Sequence, residues 1–174
     1  MKHIFLINPA AGKKGNAESI IRPQIEDYCG KAGLDYEIYV TKCQGDAQNY
    51  CREHAKSGEA LRFYACGGDG TLNRFINDFD PSCMSNEIYY YATGSGNDFL
   101  RDIAGASADA PVLINDYIKD LPTVTVQGKT YKFLNGIGYG IDGYCCEVGD
   151  RLREQGDSKI NYTGIAIKGL LFHY

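Results

Sequence analysis

Residues 64–73 read YACGGDGTLN and residues 92–101 read ATGSGNDFLR. Each stretch sets glycines, a carboxylate and small polar groups between an apolar run and a segment of helical spacing. Glycine there is costly unless the backbone must take φ > 0 or approach something closely. In Gly67-Gly68-Asp69-Gly70-Thr71, free N–H groups at a helix start and the positive end of its dipole suit a phosphate. Thr71 can cap that helix or donate to a phosphate oxygen. Asp69 repels phosphate, which makes sense if it orders the loop or approaches a metal ion held between phosphates. A plain tight turn accounts for one or two glycines, not for three around an aspartate. Gly94-Ser95-Gly96-Asn97-Asp98 repeats the logic, with a ligand site and a capped turn equally open. In Asn8–Gly15, the lysines of Gly12-Lys13-Lys14-Gly15 either neutralise phosphate or sit in a solvated turn.

Other constellations carry less. There is no G-x-x-x-x-G-K-[ST], so the common P-loop is excluded. Gly138–Gly143 fits G-x-G-x-x-G on paper but lies outside the alternating region, with no clear helix opening from it, and is set aside. His3, His54 and His173 read as core or surface residues, and seven cysteines without a C-x-x-C pair read as reduced thiols that fill space.

The elements that must position the three loops are α/β in pattern. His3–Ile7, Tyr36–Thr41, Leu61–Cys66 and Glu87–Thr93 read as strands. Helices are predicted from Asn16 to near Gly30 with Pro23 as a weak point, from an Asp46 cap to before Gly58, from Thr71 to about Asp78, and over Asn97–Ile103. Strands alternating with helices imply right-handed crossovers and an open parallel sheet, whose ligands bind beyond the carboxyl ends of the strands. All three loops fall at such ends. After Pro122 the pattern changes: Thr123–Gln127 and Lys129–Asn135 alternate around Gly128 as a hairpin, and Tyr162–Phe172 is apolar enough for a helix. The boundary is placed near residue 122, giving an α/β domain over 1–122 and an incomplete β-rich unit over 123–174.

Composition bounds the function. A 174-residue chain with 44% hydrophobic and 23% charged residues is an ordinary globular protein, and a net charge of −4 argues against nucleic acid as a partner. The opening MKHIFLINPAAG is too short in apolar residues for a signal peptide, and no run reaches the ~20 apolar residues of a membrane helix. The expected location is cytoplasmic, with any peripheral membrane contact made through local apolar surface or through sequence beyond these residues.

Taken together, the loops resemble the diacylglycerol kinase catalytic domain family, which includes bacterial lipid kinases and, more distantly, sphingosine kinases. Asn8-Pro9 with Gly12 looks like its N-P-x-x-G opening, and Gly67 through Asn73 is similar to G-G-D-G-T-x-N. Gly94 through Arg101 looks like G-T-G-N-D-F-A-R, Thr41 matches the threonine ahead of G-D-A, and Asn135–Asp142 is similar to the stretch that opens the second domain. The resemblance implies an α/β nucleotide-binding domain followed by an antiparallel β-sandwich, with ATP and Mg²⁺ in the cleft and a lipid hydroxyl of the diacylglycerol kind as acceptor. It places Asn8, Gly12, Lys13, Thr41 and the run Gly67, Gly68, Asp69, Gly70, Thr71, Leu72, Asn73 around the nucleotide. Gly94, Ser95, Gly96, Asn97 and Asp98 join them, with Arg101 for substrate or loop order and Asp69 as the metal ligand.

Four departures stand against the pattern. Arg74 replaces a glutamate, Ala92 and Ser95 replace a proline and a threonine, an aspartate is missing around Thr123–Val126, and no D-G-E occurs. The general base is therefore expected in a C-terminal part that this sequence lacks, and these residues alone are not expected to catalyse. Two other classes compete: an NAD kinase, which shares G-G-D-G-T, and a non-catalytic module that binds a nucleotide or forms a homodimer through unfinished β edges. The G-x-G-N-D-F run favours the lipid class.

Overall fold

The computed structural model describes residues 1–11, 16–43, 45–78, 85–94, 96–103, 107, 109–155 and 160–172. Strand β1 (Lys2–Ile7) buries every residue after Lys2, and β3 (Leu61–Gly67) every residue but Arg62. Strands covered on both faces read as unbroken apolar runs and belong in the middle of a parallel sheet. Beside them lie β2 (Tyr36–Val40) and β4 (Glu87–Ala92), in the order β2-β1-β3-β4-β5. Strands β1 to β4 pair in parallel, as the alternation predicts. The last strand, β5 (Val112–Leu113), is an antiparallel edge of two residues, too short to leave a pattern in the sequence.

Helix α1 (Ala17–Ala32) carries the chain from β1 to β2, and α2 (Asp46–Ala55) and α3 (Asp69–Asp78) carry it the other way, to β3 and β4. Right-handed crossovers in opposite directions cover opposite faces. Alternate β1 residues accordingly serve different layers. Phe5 and Ile7 meet Ile21, Ile25 and Cys29 of α1, while Ile4 and Leu6 join Leu72, Phe75 and Ile76 of α3. On the α1 face aromatic rings do much of the filling: Phe5 stacks on Tyr64 at 4.1 Å and Tyr64 on Tyr89 at 4.9 Å. Several of the fourteen tyrosines thus have a packing role.

His3 is buried in this layer, sharing a 2.7 Å hydrogen bond between Nδ1 and the Tyr64 hydroxyl. Burial, then the nearby Arg62 charge, hold its pKa below the ordinary 6.5. The unfolded chain therefore takes up a proton first on acidification, and stability falls as pH drops through 6.5. Urea midpoints should decline between pH ~7 and ~5 in the natural chain and flatten in His3→Gln, whose amide keeps a partner for Tyr64 but does not titrate.

Local boundaries differ from the sequence reading for identifiable reasons. Helix α1 runs through both Pro23 and Gly30, and closes at Gly33, whose φ of 63° lets its N–H return to the Cys29 carbonyl. Asp46 does not cap α2 with its side chain. Gly45 (φ 79°) holds the cap position, and the Asp46 carboxylate turns back to accept the Lys42 N–H at 2.7 Å and the Tyr39 hydroxyl at 2.9 Å.

The hairpin of β6 (Thr123–Val126) and β7 (Lys129–Lys132) turns at Gln127 and Gly128, both with positive φ as a tight two-residue turn requires. It belongs to the first compact unit, Met1–Asn135. The reason is Asn77 of α3, which donates to the Lys132 carbonyl and accepts the Lys132 N–H, both at 2.8 Å. The second compact unit, Gly136–Tyr174, packs α6 (Ile141–Glu154) against α7 (Tyr162–Phe172). Gly169 sits against Ile141 and Tyr144, where a Cβ would come within 2.6 Å of Ile141. A helix therefore does open from Gly138–Gly143, contrary to the sequence reading. Among the described residues no helix is long and apolar enough to cross a membrane.

Candidate functional site at the strand ends

Strand order reverses its direction of growth at β1, with β2 on one side and β3 on the other. That switch point is where an open α/β sheet leaves a crevice at the carboxyl ends of its strands. A pocket of about 190 Å³ occupies it, with Leu6, Ala65 and Phe75 as apolar lining and Asn8, Thr41 and Thr71 as polar lining. Lys42, Arg74 and Asp78 supply its charges. Thr41 ties the ends of β2 and β1 together, its N–H on the Ile7 carbonyl at 2.9 Å and its Oγ1 on the same oxygen at 3.3 Å. Asn8 shapes the turn after β1 by accepting the Ala10 N–H at 3.0 Å.

Beside this pocket two glycine loops meet. Thr93 donates its N–H to Gly67 O at 2.9 Å, carrying the β3–β4 pairing one step past Ala92. Gly68 and Gly94 then lie backbone to backbone: a Cβ on Gly94 would fall 2.4 Å from the Gly68 Cα. Part of what these glycines approach is thus each other. Gly67 has φ 156° and faces Thr71, where a Cβ would come within 2.6 Å. Gly70 differs, since a Cβ there meets nothing within 4 Å. No internal packing requires that glycine.

Asp69 joins the loops. Its Oδ2 accepts the Asp98 N–H and its Oδ1 the Phe99 N–H, both at 3.0 Å, so it caps the short helix α4 (Asp98–Asp102) from another element. Asn97, held at φ 54°, makes no cap bond of its own. Its Nδ2 donates to the Gly94 carbonyl at 2.9 Å, and its Oδ1 accepts the Tyr90 hydroxyl at 3.4 Å. Burial, with Asp69 and Asp98 adding to it, pushes the Tyr90 phenol far above its ordinary range, so it stays a donor. A point beside Gly96 lies 3.4 Å from Asp69 Oδ2 and 3.7 Å from Asp98 Oδ2, which puts both carboxylates at one rim. Arg101 pairs with the other oxygen of Asp98 at 3.0 Å.

The remaining residues singled out by sequence are placed as follows. Leu72 is wholly buried in the core, with its N–H on the Gly68 carbonyl. Asn73 keeps a buried Oδ1 without a partner among the described residues. Gly12, Lys13 and Ser95 lie outside the described residues. Sequence reading missed Lys42, Phe75 and Asp78, and took Arg74 only as a departure. The signal for three of them was present: Thr71, Arg74, Phe75 and Asp78 follow i, i+3, i+4, i+7 spacing, one stripe of α3.

Comparison with known proteins matches residues 2–126 to the diacylglycerol kinase catalytic domain. A diacylglycerol kinase of Bacillus subtilis (strain 168) is 28% identical over 144 residues, covering 78% of this chain and 45% of that protein. One from Staphylococcus epidermidis is 32% identical over 108 residues, covering 59% of this chain and 33% of that protein. Among solved structures, a "putative diacylglycerol kinase" from Bacillus anthracis str. Sterne aligns with a TM-score of 0.50 at 26% identity, over 97% of this chain and 55% of that one. The chain thus spans between a third and about half of the length of these relatives.

Proposed function

The chain belongs to the diacylglycerol kinase catalytic domain family, and from that premise we propose that it seats a nucleoside triphosphate, of which ATP is the family's general donor, for phosphoryl transfer to a lipid hydroxyl. The observation that carries the reading is the join of two glycine loops through Asp69, beside the switch-point pocket. The phosphates lie along Gly67–Thr71, at the Asp69 and Gly70 N–H groups that open α3 ahead of the first two to bond back, those of Thr71 and Leu72 on the Gly68 carbonyl. The nucleoside enters the pocket past Thr41 and Asn8.

Mg²⁺ fits the donors present. Asp69 and Asp98 bring carboxylate oxygens to one rim. One or two carboxylates completed by substrate phosphates are the usual Mg²⁺ environment, and the ion would supply neutralisation of charge on the transferred phosphoryl group. No set of three His, Cys, Asp or Glu able to hold a metal by itself comes together among the described residues. No proton acceptor for the lipid hydroxyl is assigned among the described residues.

Gly70 gives the cleanest test, because a Cβ there meets nothing within 4 Å. In titration calorimetry with Mg²⁺ present, the chain is expected to bind nucleoside triphosphate. Gly70→Val should weaken that binding by about tenfold or more while the thermal midpoint moves by only a few degrees, within the ~1 kcal/mol span of helix propensities. A chain that binds no nucleoside triphosphate at millimolar concentration overturns the proposal.

A further inference from the structure

The charged lining of the pocket is unusual for a site that must hold the apolar face of a base. Arg74 stands where the family motif has glutamate, and Asp78 follows it one turn later on the same stripe of α3. Among the described residues, neither side chain has an ion-pair or hydrogen-bond partner. From Thr71 to Asp78 is about 10 Å along the helix at 1.5 Å per residue. With phosphates at the Thr71 end, a nucleoside laid along α3 brings its base to Arg74 and Asp78. The reverse orientation would set phosphate against the Asp78 carboxylate. Leu6, Ala65 and Phe75 give the base its apolar contact.

The geometry points to a guanine nucleotide as the preferred occupant, an inference that rests on the nucleotide-binding reading above. A guanidinium offers only donors and a carboxylate only acceptors. Guanine presents two adjacent acceptors, O6 and N7, and two adjacent donors, N1–H and the 2-amino group. Each charged side chain therefore finds two matching atoms. Adenine mixes the N7 acceptor with a 6-amino donor on one edge, so Arg74 gains one bond and meets one opposed donor. Arg74 is accordingly a specificity-determining residue, and Asp78 reads the 2-amino group.

The test is a set of calorimetric titrations of the 174-residue chain with GTP, ITP and ATP, all with Mg²⁺. GTP is expected to bind about tenfold or more tightly than ATP, the discrimination of a two-point contact to one base edge. ITP, lacking the 2-amino group, should fall between them. Arg74→Glu should reverse the order of GTP and ATP, Arg74→Met should bring them near parity, and Asp78→Asn should close the gap between GTP and ITP. Both positions lie on the pocket-facing stripe of α3 outside the buried core, and a thermal melt of each variant checks its fold. ATP binding as tightly as GTP overturns the guanine inference and leaves the kinase reading standing. No binding of any triphosphate overturns both.

Discussion

Gly94→Ala is expected to cost the protein about 3 kcal/mol, the upper end of what overpacking inflicts. A single methyl is enough, because the added Cβ would lie 2.4 Å from the Gly68 Cα, 3.1 Å from the Gly68 nitrogen and 2.8 Å from Asn97 Oδ1. Two of those three atoms are backbone, so no rotamer change relieves them. Nor can the loops draw apart. Thr93 holds Gly67 by a ladder bond on one side, and the Asp69 carboxylate holds the start of α4 on the other. Urea unfolding followed by circular dichroism should show a lower midpoint with an unchanged slope, and a thermal midpoint lower by roughly 10 °C. Gly70→Ala is the control, with nothing within 4 Å of its Cβ and an expected gain of ~0.5–1 kcal/mol from helix propensity. A Gly94→Ala chain within ~0.5 kcal/mol of the natural one would mean that the loops separate freely and that their contact is incidental.

That contact shows where sequence reasoning stops. The parallel core was legible, because strands buried on both faces leave runs such as HIFLI and LRFYAC. The positions of the glycine loops followed from those runs. The partner of each glycine did not: Gly68 and Gly94 are distant in sequence, and only the β3–β4 register brings them together. Three glycines read as room for a ligand turn out to divide their work. Gly68 makes room for the other loop, Gly67 makes room for Thr71, and Gly70 alone faces open space. The hairpin's attachment was equally hidden, since it depends on the amide of Asn77 meeting Lys132 from a distant part of the chain. Helix α6 was missed for a different reason. Its acidic and basic residues mask a stripe of Ile141, Tyr144, Cys145, Val148 and Leu152, half-buried at helical spacing that a count of periodicity would have found. Family membership, by contrast, was carried by short motifs, and the match over residues 2–126 bears it out.

Asp69 carries the second large effect, and two substitutions separate its two roles. Asp69→Ala leaves the Asp98 and Phe99 N–H groups without their acceptor, at the start of a five-residue helix whose own cap residue makes no side-chain cap bond. Losing two charge-assisted bonds at a partly exposed helix end is expected to cost about 2–3 kcal/mol, read as a lower urea midpoint. Asp69→Asn keeps one oxygen for one of those N–H groups but turns an amide nitrogen toward the other. About half that stability loss is expected, and the chain remains folded at room temperature. The asparagine variant therefore isolates the charge. If Asp69 helps hold Mg²⁺ at the rim it shares with Asp98, its neutral amide should weaken triphosphate binding about tenfold or more with Mg²⁺ present, and little when the ion is chelated. Equal weakening in both conditions would assign Asp69 to loop order alone. Asp69 would then act as a cap between two helices, with any metal left to Asp98 and the nucleotide itself.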